Sequence, residues 1–180
     1  MVCPRCITAV EKTLTDLEIP YSEVVLGQAR INIDKALIDE DLLDKKLREI
    51  GFELIRDKNQ QLVAEVKALI VSYIHHSEEL DMKINFSDYI SKKVGRDYSF
   101  ITAIFSELQK TTIEKYIIAQ KIEKVKELLS YNELTLSEIA YQLNYSSVQH
   151  LSNQFKKITG KTPSQYKKQD ILGRKTLDTV

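Results

Sequence analysis

Two groups of residues in this sequence have types and spacings suited to chemistry, and they lie near opposite ends of the chain. At the amino end, Cys3-Pro4-Arg5-Cys6 places the only two cysteines two residues apart. A helix start lowers thiol pKa values, and thiolates favour soft ions such as Cu(I) or Zn(II). Two ligands leave a tetrahedral structural zinc site incomplete. The same spacing suits a redox pair, although the surrounding pattern is not that of a thioredoxin-like fold. Near the carboxyl end, Gln149, His150, Ser152 and Asn153 form a polar group at helical spacing. Gln and Asn can pair bidentately with adenine, and Ser can serve a base or a phosphate. Lys156, Lys157, Lys161, Lys167 and Lys168 follow, and lysines suit phosphate contacts, which supply affinity more than sequence preference. The plainer alternative for this face is a solvated side of a helical protein.

The second group needs a helix held at an angle by its neighbours, and the surrounding pattern supplies one. Thr135-Leu136-Ser137-Glu138 is a capping box opening a short helix that runs over Ser137–Leu143. Asn144 breaks the chain and tolerates a left-handed turn. Ser146-Ser147-Val148-Gln149 repeats the device and opens a second helix from Ser147 to Lys157, with Tyr145, Leu151, Phe155 and Ile158 inward. In a helix-turn-helix, residues near the start of that second helix enter the major groove. Gly160 ends it, and Thr162-Pro163-Ser164-Gln165 opens a last helix.

The pattern occurs twice. Phe105, Leu108, Thr112 and Tyr116 match Phe155, Ile158, Thr162 and Tyr166 at an offset of 50 residues. The upstream copy has helices over Phe86–Val94 and from Asp97 or Tyr98 to about Leu108, with Gly95 as the turn. A long helix from Thr112 or Ile113 to Ser130 joins the copies. The upstream copy exposes Ser99, Thr102 and Ala103, and Ser106-Glu107 stand where the other has a lysine pair. Arg96, with Lys92 and Lys93, is placed to meet a phosphate backbone. The two units should therefore contribute unequally.

Upstream of the repeat, Ile7, Val10, Leu14 and Leu17 mark a helix from Arg5 to Leu17, ended by Pro20. Tyr21–Leu26 and Ala29–Ile33 read as a hairpin, Asp41–Ile50 as a helix with Leu42, Leu43, Leu47 and Ile50 inward, and Phe52–Arg56 as a strand. This is one strand short of a ferredoxin-like unit. From Asn59 to His76 an amphipathic helix connects the halves, with Leu62, Val66, Leu69, Ile70, Tyr73 and Ile74 as its stripe. The flanking domains or a second chain must cover that stripe, so a homodimer through the connector is one expectation. His75 and His76 should lie on its solvated side. The expected domains are 1–57 (α+β), 58–80 (connector), 81–168 (all-α) and a tail, 169–180.

Formal charges cancel, with 26 Lys/Arg against 26 Asp/Glu, but they are sorted along the chain. Residues 1–80 carry 10 basic and 15 acidic residues, and residues 81–180 carry 16 and 11. This asymmetry suggests two domains with different partners. No apolar run is long enough to span a membrane and no secretory signal is evident, so a cytoplasmic protein is expected. No metalloprotease His-Glu-x-x-His, phosphate-binding glycine loop, or nucleophile and base at motif spacing is present, which argues against an enzyme.

The stretch Leu136-Ser137-Glu138-Ile139-Ala140-Tyr141-Gln142-Leu143-Asn144-Tyr145, with Leu151-Ser152-Asn153-Gln154-Phe155 and Gly160-Lys161-Thr162-Pro163-Ser164-Gln165-Tyr166, carries a resemblance. Residues 83–168 resemble the C-terminal DNA-binding domain of the AraC/XylS family of bacterial transcriptional regulators. The resemblance implies an all-α domain of two helix-turn-helix units reading about two turns of double-stranded promoter DNA, often as a dimer. It also implies base-reading positions at Val148, Gln149, His150, Ser152 and Asn153, and at Ser99, Thr102 and Ala103. Two departures stand out: Asn144 replaces the usual turn glycine, and Asn153 and Ala103 replace an arginine that often reads guanine. Residues 1–57, with Met1-Val2-Cys3-Pro4-Arg5-Cys6, resemble a heavy-metal-associated domain lacking its first strand. That implies an incomplete ferredoxin-like fold, or a start site lying upstream, and Cys3 and Cys6 as ligands for Cu(I) or Zn(II). The leading reading is a sequence-specific transcriptional regulator tuned by a metal or another effector. Its rival is a metal-binding, chaperone-like module whose helical half docks a protein.

Overall fold

Pro4 opens the first helix, where its fixed φ fits and its missing N–H costs nothing. The computed structural model describes residues 1–77 and 85–168, and in it this helix, α1, spans Pro4–Asp16. After a left-handed Glu18 (φ 55°), β1 (Tyr21–Val25) pairs antiparallel with β2 (Gln28–Ile31), Val25 facing Gln28 across the turn. A 3₁₀ turn over Lys35–Leu37 leads to α2 (Glu40–Glu49), capped by the Asp39 carboxylate accepting from the Leu42 N–H. Val10, Leu14, Ile19, Val24, Leu43 and Leu47 form the core of this region.

Three expectations for this region fail. Residues 52–56 form no strand, because the backbone donors there are claimed by α2. Phe52 N–H donates to the Leu47 carbonyl at 2.8 Å and Leu54 N–H to Asp44 Oδ1 at 2.8 Å. The sheet among the described residues is the two-stranded β1–β2 pair, which lacks the third strand expected of an incomplete ferredoxin-like unit. Leu42 and Ile50, expected inward, are 42 % and 41 % exposed. The inward row of α2 is the i, i+4 pair Leu43 and Leu47, and Ile50 lies beyond the last helical residue.

Next comes α3 (Lys58–Val71), capped by Asp57 and prolonged by a π-helical turn over Ser72–His76. Its stripe of Val63, Val66, Ile70, Tyr73 and Ile74 shares one core with Ile90 of α4 (Phe86–Val94), Ile101, Ile104 and Phe105 of α5 (Tyr98–Gln109), and Ile113, Tyr116 and Ile117 of α6 (Ile113–Tyr131). The connector stripe is thus covered by the same chain, so that face is not a free seam for a second copy. The tip of the β-hairpin also reaches α3, where a Cβ on Gly27 would meet Ala68 Cβ at 3.4 Å.

The distal half of α6 anchors a separate core. Ile122, Val125 and Leu129 pack with Ile139 and Ala140 of α7 (Leu136–Gln142), with Leu143, and with Leu151 and Phe155 of α8 (Val148–Thr159). The last described helix, α9 (Pro163–Lys168), adds Tyr166 to its edge. At 1.5 Å per residue, α6 is about 28 Å long. Among the described residues, no helix is long and apolar enough to cross a membrane. The expected tail, 169–180, lies outside the described residues.

Candidate nucleic-acid interface

The polar face of α8 depends on how α7 is fixed. Thr135 Oγ1 accepts from the Glu138 N–H at 3.2 Å, and Glu138 Oε2 accepts from the Thr135 N–H at 2.7 Å, completing the expected capping box. The Thr135 hydroxyl, which also donates to Glu138 Oε2 at 2.7 Å, and then the Thr135 N–H hold the Glu138 carboxyl below its usual pKa. The chain then turns through Asn144 in the left-handed region (φ 55°), and Tyr145 N–H returns to the Ala140 carbonyl at 2.9 Å. Lys121, unnoticed in the sequence, locks this turn. Its Nζ donates to the Leu143 carbonyl at 2.8 Å, a cation at the end of α7, and it lies over the Tyr145 ring. Tyr145 in turn donates its hydroxyl to Gln154 Oε1 at 2.7 Å. Burial lowers the Lys121 pKa and raises that of Tyr145. The angle between α7 and α8 is therefore held by specific contacts as well as by apolar packing.

Ser147 caps α8, its Oγ accepting from the His150 N–H at 3.0 Å. The expected box from Ser146 to Gln149 is replaced by this single bond. Leu151 and Phe155 are fully buried. Ile158, expected inward, is 48 % exposed, because Tyr166 from α9 fills the core edge beside Phe155 with its ring centroid 5.4 Å away.

Val148, Gln149, His150 and Asn153 are exposed, and Ser152 is half-buried. The structure thus brings all five second-unit positions to one end and face of α8. Gln149 Nε2 donates to Asn153 Oδ1 at 2.9 Å, so the two amides are already joined by a hydrogen bond. His150 is tethered, with Nδ1 3.0 Å from Ser146 Oγ and its ring edge-on to Tyr145. Lys156, Lys157, Lys161, Lys167 and Lys168 are exposed, and among the described residues no carboxylate pairs with them.

The first unit has the same frame. The Phe105–Tyr116 rings stand T-shaped at 5.8 Å, as Phe155–Tyr166 do at 5.4 Å. Thr112 Oγ1 accepts from Lys115 N–H at 3.3 Å, as Thr162 Oγ1 does from Gln165 N–H at 3.2 Å. Lys110 and Gly160 both take the left-handed conformation that closes the helix. The surface differs. Asp97, the N-cap of α5, makes no side-chain capping bond. Ser99 and Ala103 are exposed, but Thr102 turns its hydroxyl back to the Ser99 carbonyl at 3.0 Å. Phe100, missed in the sequence, is 50 % exposed at the start of α5, and the 50-residue repeat that sets it opposite His150 was the available signal. Arg96 is exposed at the turn. Tyr98 ties α5 to α6 by donating to Glu114 Oε1 at 2.9 Å, and burial together with that bond raises its pKa to about 12.

Gln120, Glu123 and Lys126 of α6 are buried between the two cores. His75, expected in solvent, has a side chain only 3 % exposed and reaches this layer. Its Nε2 donates to Gln120 Oε1 at 2.9 Å, while Nδ1 stands 3.7 Å from Glu127 Oε2. Burial pushes the His75 pKa down to about 4. His76 is exposed, and its Nε2 donates to the Val2 carbonyl at 2.8 Å.

Cys3 and Cys6 are brought together, their sulfurs 3.6 Å apart. Burial raises the Cys6 pKa, but hydrogen bonds from the Val2 and Cys3 backbone and the Cys3 thiol outweigh it, and the net shift is downward. Among the described residues, no group of three or more His, Cys, Asp or Glu could hold a metal ion. Among those residues the pair therefore gains no third ligand toward a closed zinc site.

Two helix-turn-helix units strung on one long helix, the second with exposed polar residues at its helix start and exposed lysines at and beyond its helix end, define a double helix-turn-helix domain. Comparison with known proteins agrees: residues 90–169 match the helix-turn-helix domain family. The chain is 26 % identical over 155 residues to the xylose operon regulatory protein of Escherichia coli, covering 83 % of this chain and 40 % of that protein. It is 25 % identical over 128 residues to the Msm operon regulatory protein of Streptococcus mutans, covering 71 % and 45 %. The chain thus spans less than half the length of these curated relatives. Among solved structures, a transcriptional regulator with an AraC-type DNA-binding domain from Chromobacterium violaceum superposes with a TM-score of 0.55 at 19 % identity, covering 63 % of this chain and 96 % of that one. The C-terminal domain of AraT, a response regulator from Geobacillus stearothermophilus, gives 0.53 at 19 %, covering 67 % and 94 %. The fold of the helical region is therefore that of an AraC-type DNA-binding domain. None of these matches supports a heavy-metal-associated domain in residues 1–57.

Proposed function

We propose that this chain is a sequence-specific DNA-binding transcriptional regulator, in which the second helix-turn-helix unit supplies most of the affinity and discrimination. The observation that carries this reading is the start of α8, where Gln149 and Asn153 are exposed, joined by a 2.9 Å hydrogen bond and set on a capped, locked helix. In the major groove, Val148, Gln149, His150, Ser152 and Asn153 face base edges, and the two amides exchange their mutual bond for adenine. Lys156, Lys157, Lys161, Lys167 and Lys168 neutralise phosphates. In the first unit, Ser99, Thr102 and Ala103 read less, and Arg96 meets the backbone. Helix α3 belongs with this domain through its shared core rather than to a free-standing linker. The relatives being named as operon regulators supports regulation rather than catalysis.

The test is repeated selection from a pool of random duplexes, followed by affinity measurement at several salt concentrations. Enrichment of one motif is expected, with an affinity that falls steeply as salt rises. Equal retention of every duplex after selection would remove the sequence-specific reading.

A further inference from the structure

The amino-terminal pair is left unexplained by DNA binding, and its surroundings say more than its spacing. The geometry points to Cys3 and Cys6 as a reversible dithiol–disulfide pair whose oxidation state is transmitted through His76 and His75 to the helix joining the two units. The sulfurs are in van der Waals contact at 3.6 Å, so closing a bond of about 2.05 Å needs side-chain movement of about 1.5 Å. Both residues are partly exposed, which admits a small oxidant. The Val2 N–H points at Cys6 Sγ at 3.5 Å, and one thiol donates to the other, an arrangement that favours Cys6 as the attacking thiolate.

The chemistry is exchange with a low-molecular-weight disulfide. The Cys6 thiolate attacks one sulfur of the oxidant, breaks its S–S bond and releases one thiolate. Cys3 loses its proton and attacks the Cys6 sulfur of the mixed disulfide, forming the Cys3–Cys6 bond and expelling the second thiolate. The two protons from the cysteines neutralise the two released thiolates. Protein thiols are oxidised by two electrons, and the oxidant is reduced to two thiols.

Transmission follows from one short segment. Val2 donates to Cys6 Sγ through its N–H and accepts from His76 Nε2 through its carbonyl. His76 sits on the π-helical turn beside His75, and His75 holds Gln120, fully buried in the middle of α6. A Cys6 sulfur bonded to Cys3 is a poorer acceptor for the Val2 N–H. Oxidation therefore loosens the segment that ties the turn to the amino end.

The full chain is equilibrated over graded ratios of reduced to oxidised glutathione, then alkylated and weighed. Loss of two free thiols and two hydrogens, reversed by reductant and absent in Cys3→Ser and Cys6→Ser, is expected. Hydrogen exchange over residues 72–76 should change on oxidation in the parent and not in His76→Ala, a readout that involves no DNA. The last arm rests on the DNA-binding reading: affinity for the selected duplex should change about 5-fold or more, and the change should vanish in His76→Ala. Thiols that stay free at every ratio, or that stop at a glutathione adduct, overturn the pair. So does stoichiometric zinc that survives dialysis and blocks oxidation. A disulfide that leaves exchange over residues 72–76 unchanged overturns the transmission, whether or not the chain binds DNA.

Discussion

The two helix-turn-helix units are built on one plan and finished differently. Both bury a phenylalanine against a tyrosine 11 residues later, cap the next helix with a threonine, and close the recognition helix on a left-handed residue. The differences lie outside that frame. The first unit leans on α3 and exposes a phenylalanine and an alanine beside a threonine already bonded to its own helix. Among the described residues, the second rests on α6 and its own helices, and it exposes amides and lysines. Packing residues repeat because the frame requires them, whereas surface residues are free to diverge with the task.

The largest expected effects come from the shared frame. Phe105→Ala and Phe155→Ala should each cost about 3–5 kcal/mol by leaving a cavity where a fully buried ring stood. Their reach should differ in hydrogen exchange. Loss at Phe105 should extend into α3 over Val63–Ile74, and loss at Phe155 should stay within α7–α9. Identical patterns for both variants would show one core, not two.

One group in the layer between the cores, His75, has a shifted pKa. His75 has a folded pKa of about 4 against an ordinary 6.5, so it is neutral in the native state at pH 7. Below pH 6.5 the unfolded chain binds a proton that the folded chain refuses. Stability is therefore full above that value and falls as pH drops toward 4, by about 1–3 kcal/mol. Gln120, Lys124, Glu127 and His76 face or neighbour the ring and shape this titration. Denaturation at pH 7 and pH 4.5 of the parent and His75→Gln checks it, since the variant should lose part of the slope.

The smallest effect sharpens the contrast at the helix starts. Ser147→Ala removes a capping bond and should cost about 1 kcal/mol. Asp97→Ala removes none and should cost a few tenths at most. Equal costs, by thermal denaturation of the two variants, would contradict the difference in capping.

The second unit was legible in the sequence because its signals are local: Thr135 with Glu138, Asn144 at the turn, and Thr162-Pro163 with Gln165 all act within a few residues. The expected strand at 52–56 failed because its apolar residues do pack on the core while its donors go to Leu47 and Asp44. Gln120, Glu123 and Lys126 sit at positions that read as solvated, and only the meeting of two cores on one helix buries them. His75 went unseen for the same reason, as its partner lies 45 residues away. Lys121 needed the folded turn before its carbonyl existed as a target.

The inequality of the two units is tested most directly by matched double variants against the selected duplex. Gln149→Ala with Asn153→Ala should weaken binding by about 2–5 kcal/mol and abolish preference over a scrambled duplex. Ser99→Ala with Thr102→Ala should cost less than about 1 kcal/mol and leave the preference in place. Equal losses from the two pairs, or a larger loss from the first unit, would contradict the asymmetric reader.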